Sequence, residues 1–296
     1  MPPMPPPDPP APRLAVGVIG VGRVGAPLAV ALRDAGHVVV GVHGVSARSQ
    51  RRAAEYLPEA PLLSIPEVLD AADLVLLTVP DDVLADLVSG LARTESLTPG
   101  QFVVHTSGRY GTSVLEPAAR LGALPLALHP VMTFAGTRAD LDRLRGCPFG
   151  VTAPAVLRPV AEALVIQMGG EPVWVAEAAR PIYHAALANG SNHLVTLVAQ
   201  TLDLLHSAGI EDPSTLVRPL LSAALDNVLT MGDEALTGPV ARGDAGTVAA
   251  HLKVLSEASP EARAAYVAMA RLTADRALAA GRLEPEAAEA LLDVLG

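Results

Sequence analysis

A chain of 296 residues is long enough for two domains, each with its own core. With a net charge of −10 and no basic cluster larger than Arg51-Arg52, it is not built for nucleic acid. The lone cysteine, Cys147, excludes an intrachain disulfide and fits a reducing cytoplasm, and no run reaches the ~18 apolar residues that a membrane helix needs.

Half of the residues are hydrophobic but only 3% are aromatic, so the core must be Ala, Leu and Val. That composition suits a parallel sheet buried on both faces by closely packed helices. Residues 1–12 contain eight prolines and no cationic or long apolar segment, which predicts a disordered polyproline-like tail rather than a signal peptide.

An apolar strand then runs directly into Gly20-Val21-Gly22-Arg23-Val24-Gly25. In this Gly-x-Gly-x-x-Gly pattern, Gly20 allows a tight turn, Gly22 lets a pyrophosphate approach the backbone, and Gly25 brings the next helix close to the strand. A helix over Ala26–Ala35 then points its free N–H groups at phosphate, and Val38–Val42 completes a βαβ unit.

No Asp or Glu occurs between Asp34 and Glu55, where an acid would bond the ribose 2′-hydroxyl of NAD. Ser46, Arg48, Arg51 and Arg52 stand there instead and suit a 2′-phosphate, so NADP is the expected cofactor, with Arg23 within reach of the same group. At least one of these arginines is expected on a solvated helix face.

Alternation continues with a helix near Ser49–Tyr56, the buried strand Asp73–Pro80, a helix over Asp82–Ala92 and the strand Phe102–His105. A helix near Val114–Leu121, strands at Leu126–His129, Phe149–Thr152 and Val173–Val175, and a helix over Ala155–Met168 follow. The fold class is therefore α/β, with a doubly wound domain over 13–176. Residues 177–296 predict an all-helical domain, with helices at Ala178–Ala208, Pro213–Ala235, Ala245–Ala258, Pro260–Ala280 and Pro285–Leu295. The first, ~30 residues long, is a candidate spine between subunits.

Val79 and Pro80 end a strand at the carboxyl edge, where ligands bind in such sheets, and are expected to border the cofactor riboses. Ser107, in His105-Thr106-Ser107-Gly108, is placed to hold the nicotinamide or a substrate carboxylate, although Thr-Ser-Gly is also ordinary turn chemistry. His129 ends the next strand on the same edge, where it can orient a carboxylate, donate a proton or simply bond locally.

In the first long helix, Ala185, Asn189 and Asn192 share one face, and His184, Ser191 and Asn192 lie close on an adjoining one. Polar residues inside an Ala/Leu helix are costly without partners, which marks the segment as a site. In the loop Leu236–Asp244, Arg242 can bind a carboxylate and Asp244 is a candidate helix N-cap. His251, one turn after Thr247, is a further acid candidate. No metal-ligand spacing and no Gly-x-Ser-x-Gly elbow is present.

These segments resemble the broad group of Rossmann-like oxidoreductases that contains pyrroline-5-carboxylate reductase, ketopantoate reductase and the deazaflavin-dependent NADP reductases. More narrowly, they resemble the branch whose C-terminal half is a domain of unknown function. The matching residues are Gly20–Gly25, His105–Gly108, His129-Pro130, Tyr183-His184 with Asn192, and Leu236–Asp244.

The resemblance implies an NADP-binding domain followed by a helical domain that dimerises, with the active site between them. It also implies reduction of a small carboxylate-bearing carbonyl or imine, ketopantoate being the first named candidate. Better-known ketopantoate reductases carry a lysine four residues before the equivalent of Asn192; Ala188 stands there in this chain, and the sole lysine, Lys253, pairs in sequence with Glu257. Proton transfer then falls to His184, His251, Tyr183 or water. The alternative functions are a non-catalytic NADP-binding sensor or scaffold and hydride exchange with a deazaflavin.

Overall fold

The computed structural model describes residues 13–296; the expected proline-rich tail lies outside the described residues. Strands β1 (Ala15–Ile19), β2 (Val38–His43), β3 (Leu74–Leu77), β4 (Phe102–His105), β5 (Leu124–Pro130), β6 (Pro148–Thr152) and β7 (Glu171–Trp174) form one sheet. Its order is β2-β1-β3-β4-β5-β6-β7, so the winding reverses at β1. Ligands bind beyond the carboxyl ends of strands at such a switch point.

Alternation along each strand divides the core between the two faces. Leu74 and Leu76 join α1 (Gly25–Asp34), Ala53 and Tyr56 of α2 (Ala47–Tyr56) and Leu164 of the later helix Arg158–Gln167. Val75 and Leu77 turn the other way, onto α3 (Ile65–Ala71) and α4 (Asp81–Arg93). The short helices α5 (Glu116–Ala119) and α6 (Ala139–Leu144) and then α7 (Arg158–Gln167) complete the layers. Cys147 is buried in the first cluster, in line with a packing role.

The sheet is not wholly parallel as composition suggested, because β6 runs antiparallel to β5. Its connection carries only the six-residue α6, which is too short to carry the chain back across the sheet as a parallel crossover requires. Helix α3 was also unforeseen. It opens on a capping box in which the Glu67 carboxylate accepts from the Ser64 backbone N–H at 2.8 Å.

The long helix expected over Ala178–Ala208 is interrupted. A turn at Glu177–Ala179 leads into α8 (Arg180–Ala188), a π-helical turn spans Asn189–His193, and α9 (Leu194–Ser207) follows. Asn189 and Gly190 are weak helix formers, and the wider turn rotates everything after it, so the faces assigned from a regular helix do not continue through it. Asn192 is exposed on this turn.

Two compact units meet in sequence there, the first ending at Gly190 and the second covering Ser191–Gly296. The expected boundary at 176/177 lies earlier because Arg180, only 1% exposed, anchors α8 to the sheet. The second unit holds α9, α10 (Pro213–Met231), α11 (Ala245–Ala258), α12 (Pro260–Ala279) and α13 (Pro285–Leu295). Its core gathers Val248, Leu252, Ala274, Ala277 and Leu291 from the last three helices. Helix α10 stops at Met231, four residues before the expected end, where Gly232 adopts φ +61° and a 3-10 turn begins.

Candidate active site

At the carboxyl ends of β1, β2 and β3 the sheet opens into a cavity of about 730 Å³. Gly20, Gly22, Arg23, Val24, Ser46, Val79, Pro80 and Ser107, all expected cofactor residues, line it. Gly20 is at φ +101°, and its carbonyl accepts the Thr78 hydroxyl at 2.6 Å. A Cβ at Gly25 would collide with that same hydroxyl, while one at Gly22 would meet nothing nearer than 3.7 Å. Gly25 is therefore the packing glycine, and Gly22 leaves an open cradle at the start of α1, whose first turn carries no acid.

Beyond the end of β2 lie the residues expected to discriminate between the cofactors. Ser46 caps α2, its hydroxyl accepting the Ser49 backbone N–H at 3.1 Å, and both serines line the cavity. Arg48 lies on the exposed first turn of α2, outside the cavity lining. Arg51 is exposed, and Arg52 is turned with Arg23 toward Gly136, where a Cβ would lie 2.7 Å from the Arg52 guanidinium. His43, the last residue of β2, was not foreseen. It lines the cavity with its Nδ1 2.9 Å from the Leu63 carbonyl, so Nδ1–H donates and Nε2 is left for a ligand. Its position one residue beyond Val42, where an acid is sought, was the available signal.

At the far end of the cavity, Ser107 is 8% exposed, and its hydroxyl accepts the Tyr110 backbone N–H at 3.2 Å. It lines the cavity and closes a turn at once. Just beyond it, His129 and His184 converge on Gly108, where a Cβ would lie 2.7 Å from His184 Cδ2 and 2.9 Å from His129 Nε2. His129 Nδ1 is 2.8 Å from the Tyr183 hydroxyl.

Beneath them the buried Arg180 guanidinium donates to Thr152 Oγ1 at 2.8 Å and to the carbonyls of Ser107, Ala127 and Gly150 at 3.3, 3.1 and 2.9 Å. All four acceptors are neutral, so a positive charge sits below the sheet edge. Burial, then Arg180, holds the His129 pKa down to about 4. His129 is thus a neutral imidazole near pH 7, an N–H donor rather than an imidazolium acid.

Burial also takes His105 to about 4. Its Nδ1 accepts the Ser107 N–H at 3.2 Å and its Nε2 donates to the Gly111 carbonyl at 2.8 Å, which closes the loop. Glu177 clamps the same loop, accepting backbone N–H groups from Thr112 and Ser113 at 2.8 and 3.0 Å.

The remaining candidates belong to the second unit. Arg242 is exposed and donates to the Thr237 carbonyl. Asp244 caps α11 through the Thr247 N–H at 3.0 Å. His251 is held by Tyr266, its Nδ1 2.9 Å from the hydroxyl. Among the described residues no group of acids, histidines and cysteines is spaced to hold a metal.

Residues 3–130 match the family model of the Rossmann-like domain, and 147–273 match the model described as a domain of unknown function, DUF2520. The chain joins a Rossmann-like domain to a DUF2520 domain. The DUF2520 match begins at Cys147, the residue before β6, so it takes in Arg180, Tyr183 and His184.

A Bacteroides fragilis protein assigned as an NADP oxidoreductase is 23% identical with a TM-score of 0.74, over 89% of this chain and 98% of its own. An imine reductase from Myxococcus stipitatus, solved with NAD+, is 18% identical with a TM-score of 0.61, over 96% of this chain and 100% of its own. The 1-pyrroline-5-carboxylate reductase of Streptococcus pyogenes is 17% identical with a TM-score of 0.59, over 90% and 98%. These likenesses establish the fold. No curated protein matches the sequence.

Proposed function

We propose that the protein is an NADPH-dependent oxidoreductase that reduces a small carboxylate-bearing carbonyl or imine. The observation that carries this reading is the cavity at the sheet's switch point, with an open glycine cradle at one end and the His129–Tyr183–His184 corner beside its other end. That three solved proteins of this fold bear oxidoreductase names supports it.

The residues fit a dinucleotide. The Gly20–Gly25 turn takes the pyrophosphate, and the N-terminus of α2, with Ser46, Ser49 and the nearby Arg48, suits a 2′-phosphate. Val79, Pro80 and Ser107 line the same cavity; the first two would border the riboses and Ser107 would lie at the nicotinamide end. Bound NADPH supplies the hydride. The chain supplies geometry, a floor of strand ends, and the proton from the His129 and His184 corner. Arg242 is the proposed ligand of the substrate carboxylate, and Asn192 and His251 are proposed to assist in binding and proton supply.

The active form is proposed to be a homodimer through the helical unit. Helix α9 has no buried residue and α10 only Pro213 and Val217, while Val195, Leu220 and Leu229 are 68%, 68% and 77% exposed. A second copy is the partner that covers so apolar a face. No described helix is long and apolar enough to cross a membrane.

The test is NADPH oxidation against 2-oxo acids, ketopantoate first, and cyclic imines. Turnover with at least one is expected, and Arg242→Ala should raise KM for it more than it lowers kcat. Tight NADPH binding without turnover on any would replace this reading with that of a sensor.

A further inference from the structure

We propose that Tyr183 and His129 form a proton relay that delivers the phenolic proton to a carbonyl oxygen, with Arg180 holding the phenolate left behind. The relay rests on the reductase reading and narrows its substrate class to ketones and aldehydes, because a preformed iminium ion needs no proton.

The sheet builds the slot for the phenol. Gly150 of β6 is the residue paired with His129 of β5, and a Cβ there would collide with the Tyr183 oxygen. Arg180, Tyr183 and His184 stand at i, i+3 and i+4 of α8, one face of the helix. The phenol therefore meets Nδ1 at 2.8 Å, and Nε2 faces Gly108, the residue after Ser107 at the cavity's end. The imidazole bridges a buried hydroxyl and the place where a substrate would be reduced.

Burial, and then charge, sets the direction of transfer. The groups that act on His129 are Arg180, His184 and His105, all of which disfavour a second proton on it. An imidazole that cannot rest as the cation must release the proton on Nε2 as Nδ1 receives one. Burial pushes the Tyr183 hydroxyl up, Arg180 draws it down and Cys147 opposes that pull. The Arg180 guanidinium carbon lies 5.7 Å from the Tyr183 ring centre, placed to stabilise a phenolate.

In the balanced step, the carbonyl carbon accepts a hydride from the reduced nicotinamide and its π pair takes the proton of Nε2–H. Nδ1 accepts the Tyr183 proton; after product leaves, Nδ1 returns that proton to the phenolate and Nε2 takes a new one from water, which restores the starting tautomer.

NMR of the imidazole nitrogens on the unsubstituted protein is the first readout and needs no turnover. His129 should carry its proton on Nε2 and accept at Nδ1; a proton on Nδ1 would overturn the relay. The second is Tyr183→Phe, which should lower kcat on 2-oxo acids by about a hundredfold or more, leaving the NADPH Kd and turnover of cyclic iminium ions unchanged. Wild-type kcat on 2-oxo acids would overturn it. Gly150→Ala, which keeps the hydroxyl but displaces it, should reproduce the loss. Absence of turnover by the unsubstituted protein would count against the reductase reading, whatever the tautomer.

Discussion

His105 and His129 end neighbouring strands, and burial takes both to about 4. Each is neutral when folded but protonates near 6.5 when the chain unfolds. The unfolded state thus binds more protons between pH ~4 and ~6.5, so stability is fully present above that window and lost as pH falls through it. Each shift corresponds to roughly 3 kcal/mol. Urea unfolding should show a clearly lower midpoint at pH ~5 than at pH ~7, a range above the usual carboxylate values; equal midpoints would contradict the buried neutral assignment. The two histidines were visible in the sequence as strand ends. What distinguishes them, the Gly111 carbonyl for one and the Tyr183 hydroxyl for the other, arises only from chain segments distant in sequence. Gly150 gave no local sign at all, since its meaning comes from strand register.

At the scale of elements, the first βαβ unit was legible because its signals are local: the glycine turn, an apolar strand on either side, and Ser46 before α2. The missing acid at the end of β2 was legible too, but the role of His43 in its place depends on the Leu63 carbonyl, 20 residues away in sequence. With Nδ1 committed to the Leu63 carbonyl, Nε2 can face a 2′-phosphate, whereas a carboxylate would repel it. His43→Asp should therefore weaken NADPH and favour NADH, measured as the ratio of their Kd values; an unchanged ratio would remove His43 from the selectivity. Helix α8 shows the opposite case. Nothing in the sequence around Arg180 singles it out, yet its four neutral acceptors hold β5, β6 and the loop after β4 to the helix, and that docking moves the compact unit's end to Gly190. The π-turn had a visible cause in Asn189-Gly190, but helix periodicity alone does not record an inserted residue.

At the scale of the molecule, the order of a sheet domain before a helical unit followed directly from the change in hydrophobic period. The apolar faces of α9 and α10 did not, because an all-helical pattern shows which residues are apolar and not which helices find partners within the chain. If a second copy covers them, Leu220→Glu with Leu229→Glu should convert a dimer to a folded monomer in sedimentation equilibrium. A wild-type monomer at micromolar concentration would contradict the proposed assembly.

Everything proposed for the protein depends on the cavity below the glycine turn being an NADPH site. Calorimetric titration with NADPH and with NADH tests it without knowledge of the substrate. Saturable binding of NADPH at least about tenfold tighter than NADH is expected, a preference of ~1.4 kcal/mol. No binding of either, or a preference for NADH, would contradict it.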